Sequence, residues 1–380
     1  MLKKSSEIID DPMEIEGETQ KNVEHHADDS CLLFPQLDRD SSIHCLLRLS
    51  RSDYGSVAAL NQTFRSLIKT GELYQLRRKK GIIEPWIYFS CDVLKWEAFD
   101  PNRGRLMQLP EMSSNTCFKL SDKESLAVGT ELLVFGREII GPAIYKYSIL
   151  TNSWLKGTKM NTPRCLFGSA SLGEIAILAG GCDQFGNTLS SSELYNSDTG
   201  TWEILPNMNT PRKMCSAVFM DGKFYVLGGV GVDKTTQLTC GEEFDLETRK
   251  WRKIPYMCPP RNGGDGANSV GGEAPPLIAV VNNALFAADY AQQVVQRYVK
   301  DKNAWVTIGS LPSRVISLKG WGMTFRSCGD NLVVIGGPSL HGGMVTEVNA
   351  WAVDDGAPEW NLLAIIQSGS FVFNCAVMGC

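Results

Sequence analysis

CSAVFMDGKFYVLGGVGVDKTTQLTCGEEFDLETRKWRKIP, residues 215–255, decides the fold. It holds four apolar runs, CSAVFM, KFYVLGG, GEEFDL and WRKIP, separated by turn residues. Runs this short, bounded by Gly and Asp, predict strands rather than helices. Immediately upstream, residues 168–206 repeat the pattern as GSASL, EIAILAGG, SELYN and TWEILP. An aromatic followed seven positions later by tryptophan marks the third and fourth runs, at Tyr147/Trp154, Tyr195/Trp202, Phe244/Trp251 and Tyr298/Trp305. Successive tryptophans lie 48, 49 and 54 residues apart, with weaker copies at Phe99/Leu106 before them and Trp351/Trp360 after. One such sheet cannot bury its own faces, so a repeat of this length predicts blades packed around an axis, a β-propeller.

The blade count follows from the ends of the repeat. The first blade has strand patterns near 86–90, 94–100 and 105–109 but no innermost strand before them. Residues 371–378, FVFNCAVM, follow Trp360 with no second or third strand, and Cys375-Ala376-Val377 aligns with Ser216-Ala217-Val218. The C-terminal strand is therefore expected to complete blade one and close six blades without an exposed sheet edge. Gly180-Gly181, Gly228-Gly229 and Gly336-Gly337 end the second strands of their blades, where a side chain would obstruct neighbouring backbone. Gly136-Arg137 and Ala287-Ala288 replace that pair in blades two and five.

Outside the ring the pattern changes. Residues 1–30 carry nine acidic and three basic side chains, a net of −6 in a chain of net −5, so residues 31–380 sum to about +1. That acidic stretch has no hydrophobic periodicity and reads as a disordered tail, without the apolar core of a secretory signal. Residues 31–80 show helical spacing instead. Ile43, Leu46, Leu47 and Leu49 form a first helix; Asp53 is placed to cap a second, with Val57, Leu60, Phe64, Leu67 and Ile68, ending at Gly71. Glu72–Lys80 forms a third. So few residues make a small core that leans on a partner.

Two features resemble known families. The glycine pairs, the aromatic–tryptophan spacing, Leu205-Pro206-Asn207-Met208, Pro163-Arg164 and Pro211-Arg212 look like kelch repeats over about 85–380. The segment 34–78, opening on Phe34-Pro35 with Leu37 and continuing through Leu46-Leu47-Arg48-Leu49 and FRSLI at 64–68, resembles an F-box. Together they resemble the plant F-box/kelch-repeat family. Ser50 stands where F-boxes usually have Pro, and Phe64 where they usually have Trp.

The resemblance implies the substrate-recognition subunit of a Skp–cullin–F-box ubiquitin ligase. The helical segment would dock a Skp-type adaptor through Phe34, Pro35, Leu37, Ile43, Leu46, Leu47, Leu60, Phe64, Leu67 and Ile68, some of which must also form its own core. The propeller would hold a target protein whose identity the sequence does not give. The alternative is a kelch interaction scaffold not coupled to ubiquitination. Either implies a non-catalytic chain of the nucleus or cytoplasm, with no cofactor.

The residue inventory agrees with binding rather than catalysis. Of four histidines, His25, His26 and His44 precede the ring, leaving His341 in a glycine-flanked loop. The twelve cysteines form no CxxC pair, so no metal site is expected, and they read as reduced thiols. The Gly-rich stretch 263–272 lacks the GK[ST] ending of a phosphate loop. No basic domain argues for nucleic acid, and no run approaches the roughly 18 apolar residues of a membrane span. Arg77-Arg78-Lys79-Lys80 reads as a nuclear address or, more simply, a solvated helix end.

One pattern points to a binding face. Arg164, Arg212 and Arg261 each fall ten residues after their blade's tryptophan, and Arg314 falls nine after Trp305. Each lies in the link between blades, so the four are expected to ring one mouth of the channel. Two readings stand: guanidinium groups for an acidic or phosphorylated target segment, or braces for neighbouring loops.

Overall fold

The computed structural model describes residues 33–379 except 35, 93–94, 234–235, 261–271, 339–344 and 368. The expected tail at 1–30 lies outside that range.

The first part is helical. Helix α1 (Arg39–Leu47) starts where Asp38 accepts the Ser41 N–H at 2.8 Å, and it buries Ile43, Leu46 and Leu47. The single second helix expected from Asp53 to Gly71 is two, α2 (Tyr54–Leu60) and α3 (Gln62–Lys69). Asn61 breaks it: its backbone is extended, and its Oδ1 accepts the Phe64 N–H at 2.8 Å, starting a new helix. Asp53 makes no cap; its carboxylate faces Arg103 and Arg105 of the propeller. Gly71, at φ +77°, turns the chain into α4 (Glu72–Lys79).

The remainder forms six four-stranded antiparallel sheets. Blade one holds β1 (Pro85–Asp92), β2 (Lys95–Asp100) and β3 (Arg105–Gln108). A short helix, α5 (Thr116–Leu120), leads into blade two: β4 (Glu124–Val128), β5 (Glu131–Glu138), β6 (Gly141–Ser148) and β7 (Ser153–Lys156). Blade three is β8 (Gly168–Leu172), β9 (Ile175–Ala179), β10 (Ser192–Asn196) and β11 (Thr201–Leu205). Blade four is β12 (Ser216–Met220), β13 (Lys223–Leu227), β14 (Gly241–Asp245) and β15 (Lys250–Ile254). Blade five is β16 (Leu277–Val281), β17 (Ala284–Asp289), β18 (Val294–Val299) and β19 (Ala304–Ser310). Blade six is β20 (Thr324–Cys328), β21 (Asn331–Gly336), β22 (Thr346–Ala352) and β23 (Asn361–Ile366).

The last strand, β24 (Asn374–Gly379), returns to β1, setting Cys375 opposite Phe89, Ala376 opposite Tyr88 and Val377 opposite Ile87. Closure by the C-terminal strand is as the repeat predicts, although it begins at Asn374 rather than 371. Buried clusters bridge each successive pair of blades, including the seam where Phe89 and Cys375 of blade one meet Ile335 and Val348 of blade six. The ring is sealed by apolar contact all the way round.

Each repeat tryptophan stacks on the aromatic across from it, as with Tyr195 and Trp202 at 4.8 Å between ring centroids. Its indole N–H also reaches the end of the preceding blade or the link that follows it. Trp154 donates to Pro110 O at 2.8 Å, Trp202 to Thr158 O at 3.0 Å and Trp251 to Pro206 O at 2.7 Å. Trp305 donates to Met257 O at 3.1 Å and Trp360 to Ser310 O at 2.8 Å. The recurring residue thus satisfies its polar edge by tying one blade to the next. Gly180 and Gly228 sit at φ +70° and +64°, and a Cβ on Gly180 would lie 2.3 Å from Arg212 O. No side chain fits there.

Candidate functional site

Antiparallel strands give the ring two unlike ends. Turns between first and second strands, and between third and fourth, fall at one end. Turns between second and third strands, and the links between blades, fall at the other.

The helices sit on the first end. Arg78 meets Glu174 in the β8–β9 turn and donates to Gly379 O at 3.4 Å, while Gly71 lies against Leu150 of the β6–β7 turn. Ser52 hydrogen-bonds the buried Asp100, and Tyr74 packs on the core between blades one and two.

The centre of this attachment is Glu84, buried just before β1. Its carboxylate accepts from Ser50 Oγ (2.7 Å), the Arg51 N–H (3.0 Å), Arg77 Nη2 (2.9 Å) and Trp86 Nε1 (3.2 Å). Arg77 also donates to Leu47 O and Leu49 O, and the Arg51 guanidinium lies 4.0 Å over the Trp86 ring. Burial pushes the Glu84 carboxyl up, but the Arg51 N–H, Ser50, Trp86 and the Arg51 charge outweigh it, and its pKa falls below the ordinary value. Ser50, the departure from the F-box pattern, is therefore a latch between helices and ring. The basic run at 77–80 is not simply a solvated end, because Arg77 is buried and Arg78 is paired.

The residues expected to meet an adaptor divide. Ile43, Leu46, Leu47, Phe64 and Leu67 are buried in the helical unit's own core with Leu33, Tyr54, Val57 and Leu73. Phe34 and Ile68 are half-buried against it, with the Phe34 and Phe64 rings 5.4 Å apart. Leu37 and Leu60 are exposed, at 39% and 71%. Pro35 lies outside the described residues.

At the opposite end the arginine expectation is corrected. Arg164 and Arg212 have fully buried side chains and line no mouth. Arg212 donates to Gly228 O (2.9 Å), Cys240 O (3.1 Å) and Glu242 Oε1 (2.8 Å). Glu242 accepts in turn from the N–H groups of Asn209 (2.7 Å) and Thr210 (2.9 Å). Arg164 repeats this with Gly180 O, Ser191 O and Glu193, and Glu193 holds the Asn161 and Thr162 N–H groups. Each arginine staples the incoming link to the second and third strands of its blade, and with both side chains fully buried neither guanidinium is open to a ligand.

Blades five and six depart from this. Gln296 lies opposite Ala287, where Glu193 lies opposite Leu178 and Glu242 opposite Val226. Arg314, one residue short of the spacing, leaves its side chain 66% exposed and meets Glu347 at 3.1 Å. Arg261 and His341 lie outside the described residues.

The far end instead presents apolar loop tips. Ile139 and Ile140 (80% and 86% exposed) sit in the β5–β6 turn, Phe185 (79%) in the β9–β10 loop and Val232 (65%) in the β13–β14 loop. Leu318 and Trp321, in the link to β20, are also exposed. Between blades four and five a cleft of about 410 Å³ is lined by Leu238, Tyr256, Cys258, Pro260 and Trp305. Sequence reasoning passed over the tips because one or two apolar residues in a loop carry no periodicity; their sign was their place between a second and a third strand. Among the described residues no group of three His, Cys, Asp or Glu is placed to hold a metal.

These features define a helix-bearing six-bladed propeller with repeats of kelch type. The family model described as Kelch motif matches residues 163–209 and 211–257. The chain is 56% identical to the F-box/kelch-repeat protein At1g26930 of Arabidopsis thaliana, over 93% of this chain and 84% of that one. It is 58% identical to the F-box/kelch-repeat protein SKIP11 of Arabidopsis thaliana, over 93% of this chain and 76% of that one. The solved structure of YjhT matches the fold with a TM-score of 0.54 at 15% identity, covering 73% of this chain and 94% of that chain. The chain belongs to the plant F-box/kelch-repeat family. Members of this kind pair an F-box substrate-adaptor segment with a kelch propeller and are in general adaptors rather than catalysts.

Proposed function

We propose that the chain is the substrate-recognition subunit of a Skp–cullin–F-box ubiquitin ligase, acting in the nucleus or cytoplasm. The helical unit docks a Skp-type adaptor, and the far end of the propeller holds a target protein. The observation that carries this reading is the Glu84 latch. A carboxylate bound by Ser50, Arg51, Arg77 and Trp86 fixes the helices to one end of a sealed ring and leaves the other end free. Rigid separation of machinery from cargo raises the target's effective concentration beside a ubiquitin-conjugating enzyme, so the chain itself supplies no catalytic group.

The test is co-expression with a Skp-type adaptor. Wild type co-purifies with it, and the Leu37→Asp/Leu60→Asp double variant loses it with an unchanged melting temperature, because both side chains are exposed. Leu47→Ala is the wrong probe, since Leu47 is 1% exposed and its loss unsettles the unit's core. Failure of wild type to co-purify favours an interaction scaffold uncoupled from ubiquitination.

A further inference from the structure

The apolar tips at the far end come from successive blades. Ile139 and Ile140 belong to blade two, Phe185 to blade three and Val232 to blade four, all in turns between second and third strands. A large apolar side chain at a loop tip loses contact with water only when something covers it, and clustered exposed apolar groups mark interaction sites. The links entering blades three and four are held by the Arg164 and Arg212 hydrogen bonds, so in this part of the ring the tips are the accessible apolar elements.

Charge says what covers them. Most carboxylates at this end are engaged by their neighbours; Asp233 and Glu273 accept from Thr236 and Gln237, and Asp289 uses one oxygen on the Ala291 and Gln292 N–H groups. Glu111 holds Lys119 at 2.8 Å, and Glu138 holds Lys156 at 2.9 Å and Tyr145 at 2.8 Å. Asp183 accepts the Phe185 and Asn187 N–H groups at 2.9 Å, Glu193 and Glu242 face their arginines, and Asp122 sits beside Lys123. Three cations are not matched. Arg137 and Lys319 are exposed and Lys213 is half-buried, and none has an ion-pair partner among the described residues. Exposed Lys159 is set apart from them, because its charge helps hold the Glu138 carboxyl below its ordinary value. Arg137 neighbours the Ile139–Ile140 tip in sequence, and Lys213 pairs in backbone register with Val230, two residues before Val232. Apolar tips beside unneutralised cations complement a segment with the opposite arrangement.

We propose that the far end binds an extended segment of its target in which large apolar side chains alternate with Asp or Glu. The apolar groups seat on Ile139, Ile140, Phe185 and Val232, and the carboxylates pair with Arg137 and Lys213. This rests on the propeller's being the target-holding part of the chain. It replaces the buried arginines with a different set of residues and makes apolar burial the main attraction, with charge setting register.

The probe is a displayed library of random peptides, selected on the purified full chain. Expected is enrichment of peptides combining aromatic or aliphatic residues with Asp or Glu. A synthesised winner should bind Phe185→Ser and Ile139→Ser/Ile140→Ser at least about tenfold more weakly than wild type. Lys213→Glu should weaken it less at physiological salt and more at low salt. Phe185, Ile139 and Ile140 lie on the surface and Lys213 is half-buried without an ion pair among the described residues, so melting temperatures stay near the wild-type value and serve as the folding control. Basic or purely polar winners, winners indifferent to the tip variants, or an empty selection overturn the proposal. None of these outcomes involves the adaptor, so co-purification of the Skp-type subunit is scored separately.

Discussion

Replacing Arg212 by Met tests whether the inter-blade arginines are staples or ligand-binding groups. The Arg212 side chain is fully buried, and its guanidinium donates to Gly228 O, Cys240 O and Glu242. Methionine has similar reach and no donors, so two carbonyls and one side of a buried carboxylate lose their partner. Breaking a buried pair in this way costs about 3–5 kcal/mol. For a cooperative unit of about 300 residues, at about 2.1 cal/mol/K of unfolding entropy per residue and so roughly 1.6 °C per kcal/mol, the melting temperature should fall by about 5–8 °C.

Arg314→Met is the internal comparison. That side chain is 66% exposed, so its pair with Glu347 contributes about 1 kcal/mol or less. Removing both partners, as Arg212→Met/Glu242→Met, should cost less than the two single changes added, because no lone charge stays buried. Calorimetry and urea unfolding read these effects directly. If Arg212→Met melts with wild type while losing the capture of bound peptides, the staple reading is wrong and the arginine serves a ligand.

Two further outcomes follow from the fold. The Glu124 carboxyl, at the start of β4, is pushed up to about 8 chiefly by burial, against the pull of the Leu166 and Phe167 N–H groups. A folded pKa above the unfolded 4.5 means that its contribution is complete below about 4.5 and is lost as pH rises through about 8. Wild type should therefore lose stability relative to Glu124→Gln across that window, by up to about 1.4 kcal/mol per pH unit. Parallel urea midpoints for the two proteins across the same range would refute this. Deleting residues 371–380 removes β24 and opens the edge of β1, so the shortened chain should aggregate on size exclusion; a synthetic 371–380 peptide supplied during refolding should restore monomer.

Blade number, ring closure and the helical preface were legible in the residues themselves. They rest on signals local to a few neighbouring positions: four short runs, an aromatic and a tryptophan seven apart, and Ile43, Leu46 and Leu47 at helical spacing. Even the joining of residues 371–378 to blade one follows from counting strands, since blade one lacks its innermost strand and Cys375-Ala376-Val377 aligns with Ser216-Ala217-Val218. Asn61 is the local exception, where a cap preference splits a helix that apolar spacing ran straight through.

What the arginines do was settled only in three dimensions. Arg164 and Glu193 are 29 residues apart and Arg212 and Glu242 are 30 apart, and whether such an arginine faces solvent or a carboxylate depends on strand register. Arg314 shows the sensitivity: one residue less of link leaves its guanidinium outside. Likewise Glu84 becomes a latch because the helices fold back onto the ring and bring Ser50, Arg51 and Arg77 to it from 34, 33 and 7 positions away. Periodicity is a property of one strand or helix, and it carries no information about which charge meets which across the core.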